Sequence, residues 1–262
     1  FSTAATLNMD KFFPDKWKLS FPISANYTNN TEKLVYDQNT DMPALEGQNK
    51  NKRTSYSIST SLKKNSSSEN TLIKHFIDPF SLSAQYVKSD ANLTDRLTDD
   101  ESKSGEVKYN NSSLPKLSFN WGRSIFKYPG AILGDTFEFV PKNFNWNVNY
   151  SNSQKETTDK DIEEVEDAIT ETITETISSS VSTSYSPINT VNSSFSINSS
   201  RDMTQDGQLW GMDLGREKTL SHKQSVNFSP NKFNWIGPKA DYENTFTRNY
   251  TFGTDETIDN TL

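Results

Sequence analysis

The sequence predicts an all-β chain, a fragment of an antiparallel transmembrane β-barrel, and three observations carry that prediction. Apolar and polar residues alternate with period two over segments about ten residues long. Only 32% of the 262 residues are hydrophobic and mean hydropathy is -0.79, whereas average domains are roughly 45–50% apolar with glycine counted. Aromatic residues nevertheless make up 12% of the chain and recur inside the alternating segments, unlike chains that cannot fold. A β structure with a single apolar face satisfies all three.

The first segment runs from Trp17 to Tyr27. Trp17, Leu19, Phe21, Ile23, Ala25 and Tyr27 fall on one face, and Lys18, Ser20, Pro22, Ser24, Asn26 and Thr28 on the other. At about 3.3 Å per residue its aromatic ends stand roughly 33 Å apart, and a tilt near 40° reduces this to about 25 Å, the height of an outer-membrane apolar band with aromatic girdles. Tyr56, Ile58, Thr60 and Leu62 repeat the pattern, as do Phe80, Leu82, Ala84 and Tyr86, and Phe144, Trp146, Val148 and Tyr150. The lipid-facing set is therefore Trp17, Leu19, Phe21, Ile23, Tyr27, Tyr56, Ile58, Leu62, Phe80, Leu82, Tyr86, Trp146, Val148 and Tyr150, with Lys18, Ser20, Ser24 and Asn26 towards the lumen. Weaker copies over 104–112, 177–185, 191–199, 220–228 and 240–250 bring the total to about nine strands. Bacterial barrels close first strand on last and usually have even strand numbers, so residues 1–262 read as part of one barrel domain completed by further strands.

The connections sort into two kinds. Residues 30–53, 90–103, 154–169 and 202–216 are polar and charged, as expected of outer loops. The alternate connections carry Pro14, Pro79, Pro115, Pro129, Pro141, Pro187, Pro230 and Pro238, where a residue without an amide proton interrupts no ladder; Pro22 and Pro43 are the exceptions. Residues 114–143 form a long periplasmic-side connection with apolar residues Phe126, Tyr128, Ile132, Leu133, Phe137 and Phe139, expected to fold back on the wall or lumen.

Chemistry-bearing motifs are sparse. A net charge of -7 without a basic stripe speaks against nucleic acid as a partner. The absence of cysteine removes disulfides, thiolate metal sites and thiol nucleophiles. His75 and His222 lie far apart without zinc or triad spacing, and read as polar turn or lumen residues. Gly105, Gly122, Gly130 and Gly134 form no phosphate loop. Asp159, Asp161, Glu163, Glu164, Glu166 and Asp167 lack the glycine and terminal glutamate of a calcium loop and read as a solvated acidic stretch within 156–175. Ile162, Val165, Ile169, Ile173 and Ile177 suggest a short amphipathic helix there. No catalytic constellation, cofactor site or metal site emerges, so the chain is expected not to be an enzyme. No run is apolar and long enough for a spanning helix, and no signal peptide precedes Phe1, as expected of an excised fragment of an outer-membrane protein.

The run from Leu7 to Tyr27, LNMDKFFPDKWKLSFPISANY, resembles a recurring segment of the SprA (Sov) family, giant outer-membrane proteins of the type IX secretion system that serves gliding motility in Bacteroidetes. Asp78–Tyr86 (DPFSLSAQY) and Val140–Tyr150 (VPKNFNWNVNY) resemble strands that follow it there. The resemblance covers about residues 5–153 and does not extend to the acidic insert at 154–173. It implies a very large single-chain barrel acting as a translocon that passes folded cargo to the cell surface, with cargo proteins and plug or shuttle proteins as partners beside outer-membrane lipid. Other readings are a different large barrel, such as a nutrient receptor or a lipopolysaccharide-assembly protein, and a secreted β-sandwich adhesin, whose apolar faces would turn towards each other.

Overall fold

A computed structural model describes residues 1–33, 50–93, 96–112, 114–120, 136–160, 168–209, 211–230, 239–250 and 257–261. β1 (Ser2–Asn8) turns back through two 3-10 turns, Met9–Phe12 and Asp15–Trp17, into β2 (Leu19–Ser20) and β3 (Pro22–Lys33). Then come β4 (Lys50–Lys64), helix α1 (Thr71–Phe76), β5 (Phe80–Asn92) and β6 (Arg96–Asn111), with β7 (Ser118–Asn120) and β8 (Thr136–Glu138) in the long connection to β9 (Asn143–Asp159). After β10 (Ala168–Ile188) and β11 (Val191–Asp202), β12 (Gln208–Leu209) and β13 (Met212–Asp213) lie within an excursion before β14 (Arg216–Phe228), β15 (Ala240–Asn249) and β16 (Thr257–Thr261).

The large sheet takes its strands almost in chain order, β1-β3-β4-β5-β6-β9-β10-β11-β14-β15-β16, with β2 beside β4. The fold is thus an antiparallel all-β meander whose terminal strands do not pair with each other. The other sheets among the described residues are two short ribbons, β7 with β8 and β12 with β13. By internal contacts the chain divides into two compact units, one of Phe1–Asn65, Leu82–Glu106 and Tyr150–Thr176, the other of Ser66–Ser81, Val107–Asn149 and Ile177–Leu262.

All nine expected strands are present, and most are longer than their apolar patterns. The alternation breaks at its start, however. Trp17 and Lys18 are not in a strand: Pro14 opens a 3-10 turn, Trp17 N–H donates to the Pro14 carbonyl at 2.9 Å, and Lys18 N–H donates to Asp15 at 3.1 Å. Lys18 then takes the left-handed conformation (φ 48, ψ 41), so neither side chain continues a strand face. From Leu19 onward the register is continuous, with Leu19 opposite Lys64 and Ile23 opposite Thr60, four residues further on along each strand. Pro22, which has no amide proton to give, sits at the first position of β3.

Two spans read as outer loops, 90–103 and 154–169, are strand over most of their described residues: β5 runs to Asn92, β6 starts at Arg96, β9 runs to Asp159 and β10 starts at Ala168. Charged residues hid them, because a strand ladder is held by backbone hydrogen bonds and does not require apolar side chains. Likewise Ile169, Ile173 and Ile177 lie in β10 rather than in a helix; a spacing of four is a multiple of two, so it suits one strand face as well as one helix face. Ile162, Val165 and the acidic residues from Asp161 to Asp167 lie outside the described residues. So do most of 30–53 and the residues Phe126, Tyr128, Ile132 and Leu133. In the described remainder of the 114–143 connection, the Tyr185 hydroxyl on β10 donates to the Glu138 carbonyl at 2.8 Å.

Candidate functional site

The feature with functional content is the division of the sheet into an apolar and a polar face. In the first unit, Ala5 stands opposite Ala25 and Leu7 opposite Ile23, while Ala25 stands opposite Ile58 and Tyr27 opposite Tyr56. Alternation puts these on one face. The other face pairs Ser24 with Ser59, Asn26 with Ser57 and Thr28 with Ser55. There the Thr6 and Ser24 hydroxyls share a bond of 3.3 Å, and Asn26 Nδ2 donates to Ser57 Oγ at 3.4 Å. Ser20, Ser24 and Asn26 share this polar side by strand parity, as the sequence predicts; Lys18, in its turn, belongs to neither face.

Tyrosines cross the first unit on the apolar face. The Phe1 ring lies 6.4 Å from Tyr27, Tyr27 faces Tyr56, and the Tyr56 ring lies 6.0 Å from Tyr86. Lys103 Nζ stands 6.0 Å over the Tyr86 ring, and on β9 the Tyr150 hydroxyl donates to Glu175 at 2.7 Å. Past this row the same strand faces become charged. Lys88 pairs with Asp99 at 3.0 Å, and that hydrogen bond together with the Asp99 charge holds the Lys88 ammonium above its ordinary pKa. A shallow polar cavity of about 610 Å³ opens there, lined by Lys52, Asp90, Asp99 and Glu156 among others. Among the described residues no group of three His, Cys, Asp or Glu is placed to hold a metal ion.

A second aromatic row belongs to the second unit. The Phe80 ring meets Tyr109 edge-on at 4.9 Å, and Tyr109 meets Phe144 at 5.9 Å. By strand parity Leu82, Ala84 and Tyr86 share one face of β5 with Phe80, and Trp146, Val148 and Tyr150 share one face of β9 with Phe144. Trp17, one end of the ten-residue step the sequence predicts, leaves the strand and stacks on Phe13 at 5.9 Å instead.

The C-terminal strands repeat the division. Phe195 and Ile197 on β11 stand opposite Gln224 and His222 on β14, which pair in turn with Asn244 and Phe246 on β15. His222 stacks on Phe246 at 5.2 Å, so it is on the more apolar side and not the polar one the sequence suggested. The opposite side is polar throughout: the Ser194 and Ser225 hydroxyls share a bond of 2.7 Å, Lys223 pairs with Glu243 at 2.6 Å, and Asn227 donates to Asp241.

The apolar face is uncovered. Tyr109 is the only hydrophobic side chain buried among the described residues, while Ile58 is 48% and Leu82 45% exposed. Leu7, Tyr56, Phe80, Phe144 and Phe195 are exposed as well. Soluble monomers rarely leave so extended an apolar surface to water, and such surfaces mark protein or membrane contacts. No helix among the described residues is long and apolar enough to cross a membrane, which says nothing of strands. No protein-family model matches the chain and no curated protein matches it.

Proposed function

We propose that this chain is a wall segment of an outer-membrane β-barrel that forms a protein-translocation channel, with its apolar face towards lipid and its Ser-, Asn- and Thr-rich face towards a water-filled lumen. One observation carries the reading: an antiparallel meander whose apolar face bears aromatic residues and, among the described residues, is exposed, while its other face is hydrogen-bonded and polar. Spanning structures must satisfy every backbone group internally, and meandering strands with an apolar exterior and aromatic girdles are one of the two ways of doing so. Support for a wide lumen is the polar face itself. Narrow barrels fill their interiors with interlocking side chains, whereas Ser24, Ser57, Asn26, Ser194 and Ser225 are short and reach only their neighbours. The type IX assignment, with folded cargo passing to the cell surface, rests on the resemblance of Leu7–Tyr27 to SprA-family proteins.

The test uses the full-length protein in its membrane, with single cysteines at Asn26, Ser57, Ile58 and Leu82. A bulky polyethylene-glycol maleimide is expected to label Asn26→Cys and Ser57→Cys, whereas Ile58→Cys and Leu82→Cys resist it and report lipid when carrying a fluorophore. Labelling of both faces alike would remove the wall assignment. Labelling of the polar face by a small maleimide but never by the bulky one would leave the wall and remove the protein-conducting lumen.

A further inference from the structure

The connection between β4 and β5 carries apolar residues that neither the strand pattern nor the channel reading uses. Asn70 caps α1, its Oδ1 accepting from Leu72 N–H at 2.9 Å and Ile73 N–H at 3.4 Å. The Ser68 hydroxyl is bound by Asp78 Oδ1 at 3.0 Å, which ties the start of the connection to its end. Leu72, Ile73, Phe76 and Ile77 are exposed, Leu72 to 68% and Ile77 to 62%. At about 100° per residue they fill one arc of roughly 140°, with Lys74 beside it and His75 on the buried side.

The position of this helix on the sheet is fixed from the apolar face. The Tyr109 hydroxyl donates to the His75 carbonyl at 2.5 Å, and Asn111 Nδ2 donates to the same oxygen at 2.8 Å. Tyr109 and Asn111 lie on the same face of β6, and Tyr109 belongs to the Phe80–Tyr109–Phe144 row. The helix therefore adjoins that row at the turn end of the strands. Phe80, whose N–H donates to the Ile77 carbonyl at the helix end at 3.1 Å, is exposed, as are Phe144, Leu117 and Phe139 of the same unit.

We infer that α1 is an in-plane interfacial anchor, its Leu72, Ile73, Phe76 and Ile77 face seated in the headgroup and upper acyl region of the lipid leaflet at the turn end. This rests on the wall reading and adds a partner to it. Two observations favour lipid over a protein partner. The helix is tied through Tyr109 to the row of exposed Phe80 and Phe144, on the strand face proposed to meet lipid. And exposed Lys74 borders the apolar arc on the helix itself, where an ammonium group at an interface meets lipid phosphates.

The test places an environment-sensitive fluorophore on Leu72→Cys, and separately on Leu82→Cys, in full-length protein reconstituted in phosphatidylethanolamine–phosphatidylglycerol vesicles. The Leu72 probe is expected to be blue-shifted, strongly quenched by lipid carrying a nitroxide near its headgroup, and several-fold less quenched by a nitroxide deep in the chain; the Leu82 probe shows the opposite depth preference. A Leu72 probe quenched by iodide and untouched by either lipid overturns the anchor while a lipid-quenched Leu82 probe keeps the wall. A Leu72 probe shielded from iodide and lipid alike means a protein covers the helix and overturns it too. If Leu82 also fails to sense lipid, the wall reading itself falls. A probe on Thr71→Cys, off the apolar arc, is expected to remain open to iodide and guards against a helix merely distorted by labelling.

Discussion

Tyr27 and Tyr56 stand directly opposite each other on β3 and β4, and the Tyr56 ring lies 6.0 Å from that of Tyr86 on β5. Aromatic pairs on one face of neighbouring strands add about 0.5–1.5 kcal/mol beyond simple burial, and at a bilayer boundary a tyrosine keeps its ring in the apolar zone and its hydroxyl wet. Tyr56→Ala therefore removes two neighbours at once. It is expected to lower the stability of the membrane-inserted protein by about 1–2 kcal/mol, read from urea-driven unfolding in lipid, and Tyr56→Trp is expected to recover most of the loss. A silent Tyr56→Ala would mean that the row is not a girdle.

The two faces make opposite predictions for the same substitution. Ile58→Arg puts a guanidinium on the apolar face two residues from Tyr56 and is expected to cost about 2–4 kcal/mol, whereas the adjacent Ser59→Arg, on the polar face, stays within about 0.5 kcal/mol. Because the positions are neighbours on β4, general damage to the strand would affect both. Equal costs in a membrane-assembly assay would contradict the orientation.

Much of this division is legible in the sequence, and the failures have physical causes. Leu19, Phe21, Ile23 and Tyr27 announce their face because a period of two survives wherever side chains alternate across a pleat. Trp17 misleads because it matches the period while Pro14 and Asp15 have already turned the chain. β1 goes unread, since STAATLN contains one large apolar residue. The charged ends of β5, β6, β9 and β10 resemble loops because a strand ladder is held by backbone hydrogen bonds and does not require apolar side chains. Helix α1, six residues long and partly β-branched, falls below what periodicity can detect, and its anchor comes from Tyr109 and Asn111, more than thirty residues away.

The excursion between β11 and β14 is held by one buried cation. Arg201 follows a bulge in the ladder; its Nε donates to the Leu214 carbonyl at 3.0 Å and its Nη2 to the Gly215 carbonyl at 2.6 Å. Glu217 lies 3.6 Å from the guanidinium and also binds Arg248 at 2.8 Å. Arg201→Met leaves a largely buried carboxylate and two carbonyls without that partner, and is expected to cost about 3–5 kcal/mol. Because an excursion can detach locally, the diagnostic is faster hydrogen exchange at residues 203–215 before any loss in the remaining strands. Slow exchange there in Arg201→Met would show that the turn holds itself.

Gly215 offers a backbone counterpart. It adopts φ +68, and an added Cβ would lie 2.2 Å from the Asp202 carbonyl oxygen, whereas Gly211, at φ +78, has open space around it. Both Gly→Ala changes pay for the left-handed backbone, about 1 kcal/mol, and only Gly215→Ala adds a main-chain collision that no rotamer relieves. Gly215→Ala is thus expected to destabilise the excursion by several kcal/mol in total and Gly211→Ala by about one, seen as a difference in protease sensitivity around residue 205. Matching sensitivities would mean that the β11–β14 junction yields freely at Asp202.

The last prediction concerns the 262-residue chain in water. In the sheet order β1 and β16 are terminal and do not pair with each other, and apolar side chains are exposed in each unit, Leu7, Ile58 and Leu82 in the first and Phe195 in the second. Unpaired edges invite strand addition from other chains, and an uncovered apolar face adds a driving force for it. Without lipid or detergent the chain is expected to refold from urea into β-rich, polydisperse assemblies, and detergent should convert them to a narrow sedimenting species with the same circular dichroism. A monodisperse monomer that melts cooperatively in buffer would require the exposed residues to cover one another, as in a soluble sandwich. Ile58→Arg would then destabilise it by burying an unpaired charge in a core, and the adhesin reading would replace the channel.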